Sequence, residues 1–343
     1  MKKRIFVGLS GGVDSSVAAY RLREQGHEVI GVFIKTWQPD FIQCTWETER
    51  LDAMRVAAHL NIPFLTFDAV DAYKTGVAEY MISEYAHGRT PNPDVMCNQH
   101  VKFGAFLEFA RSHGADAVAT GHYAQISHDK DGYHLLRGKD REKDQSYFLW
   151  TLTQDQLRHI VFPVGDLPKK EVRRIAKKIG LPTAVKKDSQ GICFLGQIDM
   201  RDFLGHYVDL TEGAVLDTKG IEIGMHAGAL LYTYGQRHGF TITEQTTSTK
   251  PHYVIAKDLD ENTITVSEEP PIIQDAEIVL EHVHEIQPCA GVLSAQLRYR
   301  GRTYKASLEE RVLAVKEEVP KPASGQSCVL YREDECLGGG IIV

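Results

Sequence analysis

Two hydrophobic patterns alternate through the first half of the chain. Unbroken apolar runs, RIFVGL from Arg4, EVIGVFI from Glu28, PFLTFDA from Pro63 and DAVATGH from Asp116, have the character of strands buried on both faces. Between them, Ser15 to Gln25 (with Gly26 as a stop), ERLDAMRVAAHL (Glu49–Leu60) and GAFLEFARSHG (Gly104–Gly114) repeat apolar residues at helical spacing. This alternation predicts an α/β fold, a doubly wound parallel sheet with helices on both faces. Ligands of such sheets lie at the C-terminal ends of the strands, where GLSGGVDS and TGHY emerge.

Beyond Asp199 the pattern changes. Short segments rich in Gly, Thr and β-branched residues start near Gly213, and SEEPPI (Ser267–Ile272) reads as a linker. After it, AEIVLEHVHEI, LSAQLRYRG, TYKASLE, SCVLYRE and ECLGGGIIV are closely spaced strands, predicting a small antiparallel barrel. The expected division is a catalytic domain over 1–205, a β-rich central domain over 206–268 and a C-terminal barrel over 269–343. A strand through LRYRGR sets Gln296, Arg298, Arg300 and Arg302 on one face, suited to phosphates, with Tyr299 opposite and as readily core.

Composition narrows the function classes. The chain has 343 residues and is 43% hydrophobic and 25% charged, ordinary for a globular protein. It contains no apolar run long enough to span a membrane, and MKKRIFVGLS has too short an apolar part for a signal peptide, so a cytoplasmic location is expected. The six cysteines (Cys44, Cys97, Cys193, Cys289, Cys328 and Cys336) form no C-x-x-C pair, which disfavours structural zinc. A net charge of −7 argues mildly against nucleic acid. Its distribution argues the other way: in KKEVRRIAKKIGLPTAVKK, Val172, Ile175, Ala176 and Ile179 form one helical face. Lys169, Lys170, Arg173, Arg174, Lys177 and Lys178 fill the rest, as a solvated face or one for a phosphate backbone.

The segment VGLSGGVDSS (Val7–Ser16) carries the first chemistry. It has no Walker lysine, and Gly8, Gly11 and Gly12 lack dinucleotide-fingerprint spacing. Gly11 and Gly12 permit positive φ and close approach of a ligand, Asp14 and Ser15 can cap the following helix, and Ser10 and Ser15 add hydroxyl donors. The segment is either a phosphate cradle at a helix N-terminus or a tight βα turn.

Ser-Gly-Gly-x-Asp-Ser after the first strand resembles the pyrophosphate loop of ATP pyrophosphatases, which cleave ATP between its α- and β-phosphates. The segments GRTPNPDVMCNQHVKF, ATGHYA, LLRGKDREKDQSYFL, FPVGDLPK, KKDSQGICFLG and GQSCVLYREDECLGGGII, in this order, are closely similar to the tRNA-specific 2-thiouridylase (MnmA-like) family. The resemblance runs from Lys3 almost to the C-terminus. It implies an ATP-dependent sulfurtransferase that adenylates the C2 oxygen of the wobble uridine (U34) and replaces it with persulfide sulfur, releasing AMP and pyrophosphate.

The resemblance also implies roles for individual residues. Cys193 in GICF carries the persulfide, Cys97 in NPDVMC is its partner nucleophile and Asp94 an acid/base. Lys186 and Lys187, just upstream of Cys193, are candidates for lowering its thiol pKa. Gly8, Leu9, Ser10, Gly11, Gly12, Val13, Asp14, Ser15, Ile34 and Gly121 match the family's ATP contacts. Asn92, Pro93 and Asp94 match its target-base contact, and His122, Lys143, Asp144, Gln145, Arg298, Tyr299 and Gln326 its tRNA contacts. The cofactors expected are ATP with Mg²⁺. The partners expected are tRNA for Lys, Glu and Gln and a cysteine desulfurase or sulfur-relay protein, with the chain a monomer. Two alternatives stay open at this level: an amidating or ligating ATP pyrophosphatase, and a thiolase using an iron–sulfur cluster on Asp94, Cys97 and Cys193. The chain departs from the family after GQRHG, where FTITEQTTSTKPHYV replaces a glycine-rich loop, and in the short WQPDFIQCTWE. No role is assigned to Cys44, Cys289, Cys328 or Cys336.

Overall fold

The computed structural model describes residues 1–42, 46–188, 191–243 and 250–343. Cys44, residues 244–249 of FTITEQTTSTKPHYV, and Ser189 and Gln190 of KKDSQGICFLG lie outside the described residues.

The predicted apolar runs form β1 (Arg4–Gly8), β2 (Glu28–Lys35), β3 (Phe64–Asp68) and β4 (Ala117–Ala119). A hairpin follows, β5 (Ala124–Asp129) and β6 (Gly132–Arg137), and then β7 (Ile160–Val161). The parallel sheet has the order β3-β2-β1-β4-β7. Along β1, Ile5 and Val7 face one core while Phe6 faces the other, which is why the run is apolar at every position. The first core packs α1 (Val13–Glu24), α2 (Trp46–His59) and the helix Lys169–Lys178 against the sheet; the second packs residues 70–86 and 93–112. β3 is an edge strand, so Leu65 is exposed despite its apolar run.

Residues 93–112 make a longer helical element than the one expected from Gly104. It starts with Pro93 in its first turn after Asn92, a favourable position for proline, and turns π-helical over Cys97–Ala105 before the α-helix Phe106–Ser112. A second π segment, Lys74–Glu79, crosses it where Gly76 faces His100. A Cβ on Gly76 would lie 2.8 Å from the His100 Cβ, so only glycine fits the crossing. The π turns break the 3.6-residue period, which hid the first half of the element in sequence.

The central segment forms a five-stranded sheet around Val215, Ile223, Tyr232, Val254, Ile264 and Val266. The C-terminal strands Ala276–Glu285, Leu293–Gln296, Thr303–Glu309, Val312–Val315, Ser327–Arg332 and Glu335–Ile342 close into an antiparallel barrel through pairing of the first with the last. Val312–Val315 was not among the predicted strands. β6 pairs with the last barrel strand, Leu135 opposite Cys336, so the hairpin extends the barrel sheet.

The expected basic strand face through LRYRGR does not form. The strand ends at Gln296, which is 5% exposed and accepts from Arg137, and residues 298–301 turn with Arg300 at φ +58°. Tyr299, half-buried, packs inward on Tyr147 and Phe148. The apolar contact draws the chain out of register, so Arg298 and Arg300 stand on a turn.

Candidate active site

The loop after β1 is capped differently from the way expected. Helix α1 begins at Val13, and its N-cap, Gly12, offers no side chain to the first-turn N–H groups. Gly11 takes φ +70°, whereas Gly12 is extended at φ −96°. Asp14 and Ser15 lie inside the first turn and do not cap it: the Ser15 hydroxyl donates to the Gly12 carbonyl at 3.2 Å, beside Ser16 at 2.7 Å. Ser10 and Ser15 hydroxyls are 3.3 Å apart. Leu9 and Val13 are buried, leaving only their backbone for a ligand, and Ile34 borders Gly8 from β2. Gly121 packs directly on the start of α1, where a Cβ would come within 2.6 Å of the Ser15 nitrogen.

Although the loop contains no lysine, Lys169 supplies one from the helix Lys169–Lys178. Its ammonium lies 2.8 and 2.7 Å from the two Asp14 carboxylate oxygens, and Tyr123 donates to the same carboxylate at 2.7 Å. Lys169 and Arg173 therefore turn inward rather than joining a solvated basic face, while Val172 and Ala176 bury the apolar side.

The two thiols meet. Cys97, from the π turn, is fully buried, and its thiol hydrogen-bonds that of Cys193. Cys193 sits on a turn over 191–196 in which Gly191, Phe194 and Gly196 all have positive φ, and an isolated bridge joins Ile192 to Gly196. Three bonds fix the turn: the Cys193 amide donates to Asp94 Oδ1 at 2.9 Å, Tyr73 donates to the Cys193 carbonyl at 2.7 Å, and Gln38 to the Phe194 carbonyl at 3.3 Å.

The electrostatics separate the pair. The hydrogen bond from Cys97 lowers the Cys193 thiol to about 7 against the opposing effect of burial, and Lys102 adds to the lowering. Burial pushes Cys97 well above the ordinary thiol range. Burial also raises Asp94, opposed by the Cys193 amide and by Lys102. Burial opposes the Lys102 charge, but Cys193, Cys97 and Asp94 hold it protonated. The cation at the thiols is thus Lys102, not Lys186, whose ammonium pairs with Asp52 on α2 at 2.8 Å. Lys102 is five residues after Cys97, and the i→i+5 bonding of a π turn brings such residues over one another. A lysine spaced five from a cysteine has no helical meaning in a 3.6-residue period, so sequence gave no signal for it.

The predicted tRNA contacts divide into surface and interior. Lys143, Tyr299 and Arg300 line a cleft of about 800 Å³ between the 141–144 loop and the barrel, with Arg137 and Gln296 at its base. Arg298 is exposed at its turn. Asp144 lies low in the wall of the same cleft, accepting from Arg137 at 2.8 Å and from the Gly138 and Ser146 amides. Gln145 bonds Tyr123 through backbone and side chain. Gln326 donates to the carbonyls of Thr90 (2.8 Å) and Pro91 (3.3 Å), tying the barrel to the Asn92-Pro93-Asp94 segment. His122 is buried between Phe103 and Phe162, with Nδ1 2.7 Å from the Thr120 hydroxyl; burial, and then Lys102, lower its pKa. Gly121 thus packs on the loop after β1, and the adjacent His122 lies close enough to Lys102 to feel its charge.

An Asp94 oxygen accepts from the Cys193 amide, and the Cys97 and Cys193 thiols lie against each other. No group of three His, Cys, Asp or Glu side chains suited to a metal ion occurs among the described residues. Cys289, Cys328 and Cys336 are buried in the barrel, and burial pushes each to about 12.

Comparison with known proteins gives three consecutive family matches: a tRNA methyl transferase HUP domain over residues 3–197, a tRNA methyl transferase PRC-barrel domain over 201–268, and an aminomethyltransferase beta-barrel domain over 280–342. The chain is 44% identical to the tRNA-specific 2-thiouridylase MnmA of Streptococcus mutans, covering 99% of this chain and 95% of that one. It is 45% identical to the namesake of Xanthomonas axonopodis pv. citri, covering 99% and 93%. A solved U34-tRNA thiolase NcsA from Methanococcus maripaludis, with its [4Fe-4S] cluster, aligns at TM-score 0.37 and 18% identity over 60% of this chain and 64% of that one. With identity sustained over nearly its whole length and the three domain models matched in order, the chain belongs to the tRNA-specific 2-thiouridylase family.

Proposed function

We propose that the chain is an ATP-dependent tRNA 2-thiouridylase acting on the wobble uridine. The observation that carries this reading is the Cys97–Cys193 pair, two free thiols distant in sequence, brought against each other beside Asp94 and Lys102. An amidating enzyme has no use for such a pair.

ATP is the substrate of the cradle, entering with Mg²⁺. The bare first-turn N–H groups of α1 and the Lys169 ammonium suit the β- and γ-phosphates. The uridine C2 oxygen attacks the α-phosphorus and pyrophosphate leaves, giving a C2 adenylate. Cys193, loaded as a persulfide, attacks C2 with its terminal sulfur and AMP departs. The Cys97 thiol then attacks the Cys193 Sγ, forming the Cys97–Cys193 disulfide and leaving the sulfur on C2. The disulfide must be reduced by two electrons from a cellular thiol before the next turnover. Asp94, its pKa raised, accepts and returns the uracil N3 proton, and Lys102 stabilises the sulfur anions.

The tRNA reaches the site over the cleft of Lys143, Tyr299 and Arg300, with Arg298 beside it. The proposal extends to tRNAs for Lys, Glu and Gln, to a cysteine desulfurase or relay protein as sulfur source, to a monomeric cytoplasmic enzyme, and to domain boundaries near 205 and 268. The test combines tRNA, ATP, Mg²⁺ and a persulfide donor, with thiouridine read by mass spectrometry. Cys193→Ser and Cys97→Ser are each expected to abolish turnover, and full turnover by Cys193→Ser would overturn the reading.

A further inference from the structure

Residues 88–92, just before Asp94, are clasped from outside the parallel-sheet half of the chain. The Arg89 guanidinium binds Glu281 on the barrel strand Ala276–Glu285, and Glu84 of the helix Tyr80–Ala86 lies 2.9 Å from its Nε. The Thr90 amide donates to the Ser324 carbonyl at 2.8 Å, and the Thr90 hydroxyl lies 2.8 Å from that of Thr233 in the central segment. Leu259 packs on Gly88, which takes φ +70° and has no room for a Cβ. With Gln326 on the Thr90 and Pro91 carbonyls, the barrel grips this stretch at three successive residues.

The charged part of the clasp is mostly buried. Burial opposes the Arg89 charge, but Glu281 and Glu84 hold it protonated. The neighbouring Tyr80 hydroxyl is buried with no hydrogen-bond partner among the described residues. Such a cluster contributes little net stability, because desolvation offsets the attraction and an unsatisfied hydroxyl adds a cost. What it supplies is direction, since a guanidinium fork meets its carboxylates in a fixed geometry. The stretch beyond it is stiff. Four residues, Thr-Pro-Asn-Pro, separate Arg89 from Asp94. Each proline fixes its own φ and restricts the residue before it, so a shift of Arg89 is carried to Asp94 rather than absorbed on the way.

We infer that Arg89 is a positioning residue for Asp94, and that its ion pair with Glu281 ties that carboxylate to the barrel. The barrel also walls the cleft of Tyr299 and Arg300. The acid/base and an RNA held in the cleft thereby share one rigid frame, and a barrel residue remote from the thiols sets the rate of the chemistry. This inference rests on the reading of Asp94 as the group that handles the uracil proton.

The test uses the full chain loaded by a persulfide donor and measures single-turnover thiolation at saturating tRNA, ATP and Mg²⁺, with tRNA affinity from filter binding. Glu281→Ala removes the barrel carboxylate and leaves the Arg89–Glu84 pair. It is expected to slow thiolation about tenfold or more with tRNA affinity unchanged, since a misplacement of about 1 Å costs about 100-fold. Arg89→Met is expected to do the same, and Glu281→Ala alone decides the matter if Arg89→Met does not fold. Because Arg89 acts through Asp94, adding Glu281→Ala to Asp94→Asn is expected to slow that variant no further. The inference fails if Glu281→Ala thiolates at the unsubstituted rate, if its loss lies in tRNA affinity alone, or if its loss multiplies with that of Asp94→Asn, as a general structural defect would. If the unsubstituted protein forms no thiouridine, or Asp94→Asn thiolates at full rate, the underlying reading fails and takes the inference with it.

Discussion

The Cys193 amide donates to the Asp94 carboxylate across 2.9 Å, so the carboxylate proposed to handle the uracil proton also holds the turn proposed to carry the sulfur. Asparagine retains an acceptor for that amide but does not ionise. Asp94→Asn should therefore keep the Cys193 labelling profile while losing thiolation by about 100-fold or more, the scale of general acid–base catalysis. An equal loss of both in single-turnover assays would make Asp94 structural alone.

The thiol pair titrates unequally. Cys193, lowered to about 7 by the hydrogen bond from Cys97 and by Lys102, should show an alkylation midpoint near that pH, whereas buried Cys97 should stay unlabelled well above it. Cys97→Ala and Lys102→Met should each move the Cys193 midpoint upward. A pH–rate profile of iodoacetamide labelling measures this, and a midpoint indifferent to both substitutions would remove the assigned cause.

At the hairpin–barrel junction, His134 Nδ1 lies 2.6 Å from Glu335 and Nε2 2.9 Å from Asp129. The bonds to Glu335 and then Asp129 raise its pKa against a smaller opposing effect of burial. A raised folded-state pKa means stability fully present below the unfolded value of about 6.5 and lost as pH rises through the folded value. The difference in Tm between the unsubstituted protein and His134→Gln should be largest near pH ~5.5 and shrink toward pH ~9. A difference constant over that range would show that the protonated imidazole contributes nothing.

The crossing of the two π segments tolerates no side chain at Gly76. Gly76→Ala meets the His100 Cβ and Cγ at 2.8 Å and should cost about 1–3 kcal/mol in urea unfolding, the range of an overpacked contact. Adding His100→Ala should recover part of that loss, and an unaffected single variant would mean that the helices separate without cost.

The parallel sheet and the glycine turn before α1 were legible because each depends on neighbours in sequence: an apolar run at β1, then Gly11 and Gly12 before α1. The thiol pair was readable only through long family motifs, since nothing in the spacing of Cys97 and Cys193 brings them together. The cations were not readable at all. Lys169 reaches Asp14 across the fold, and Lys102 reaches Cys193 through a helical period that sequence patterns do not reveal. Arg298 and Arg300 were misread as one strand face because Tyr299 packs inward and bends the chain.

The pairing of β6 with the last barrel strand bears on how such a protein can be divided or inherited. Removing the chain after 268 would strip β6 of its barrel-side neighbour and, through Gln326, leave the Asn92-Pro93-Asp94 segment without its outer support. The barrel is therefore no detachable cassette: a lineage that exchanged it alone would expose a bare sheet edge and disturb the site together.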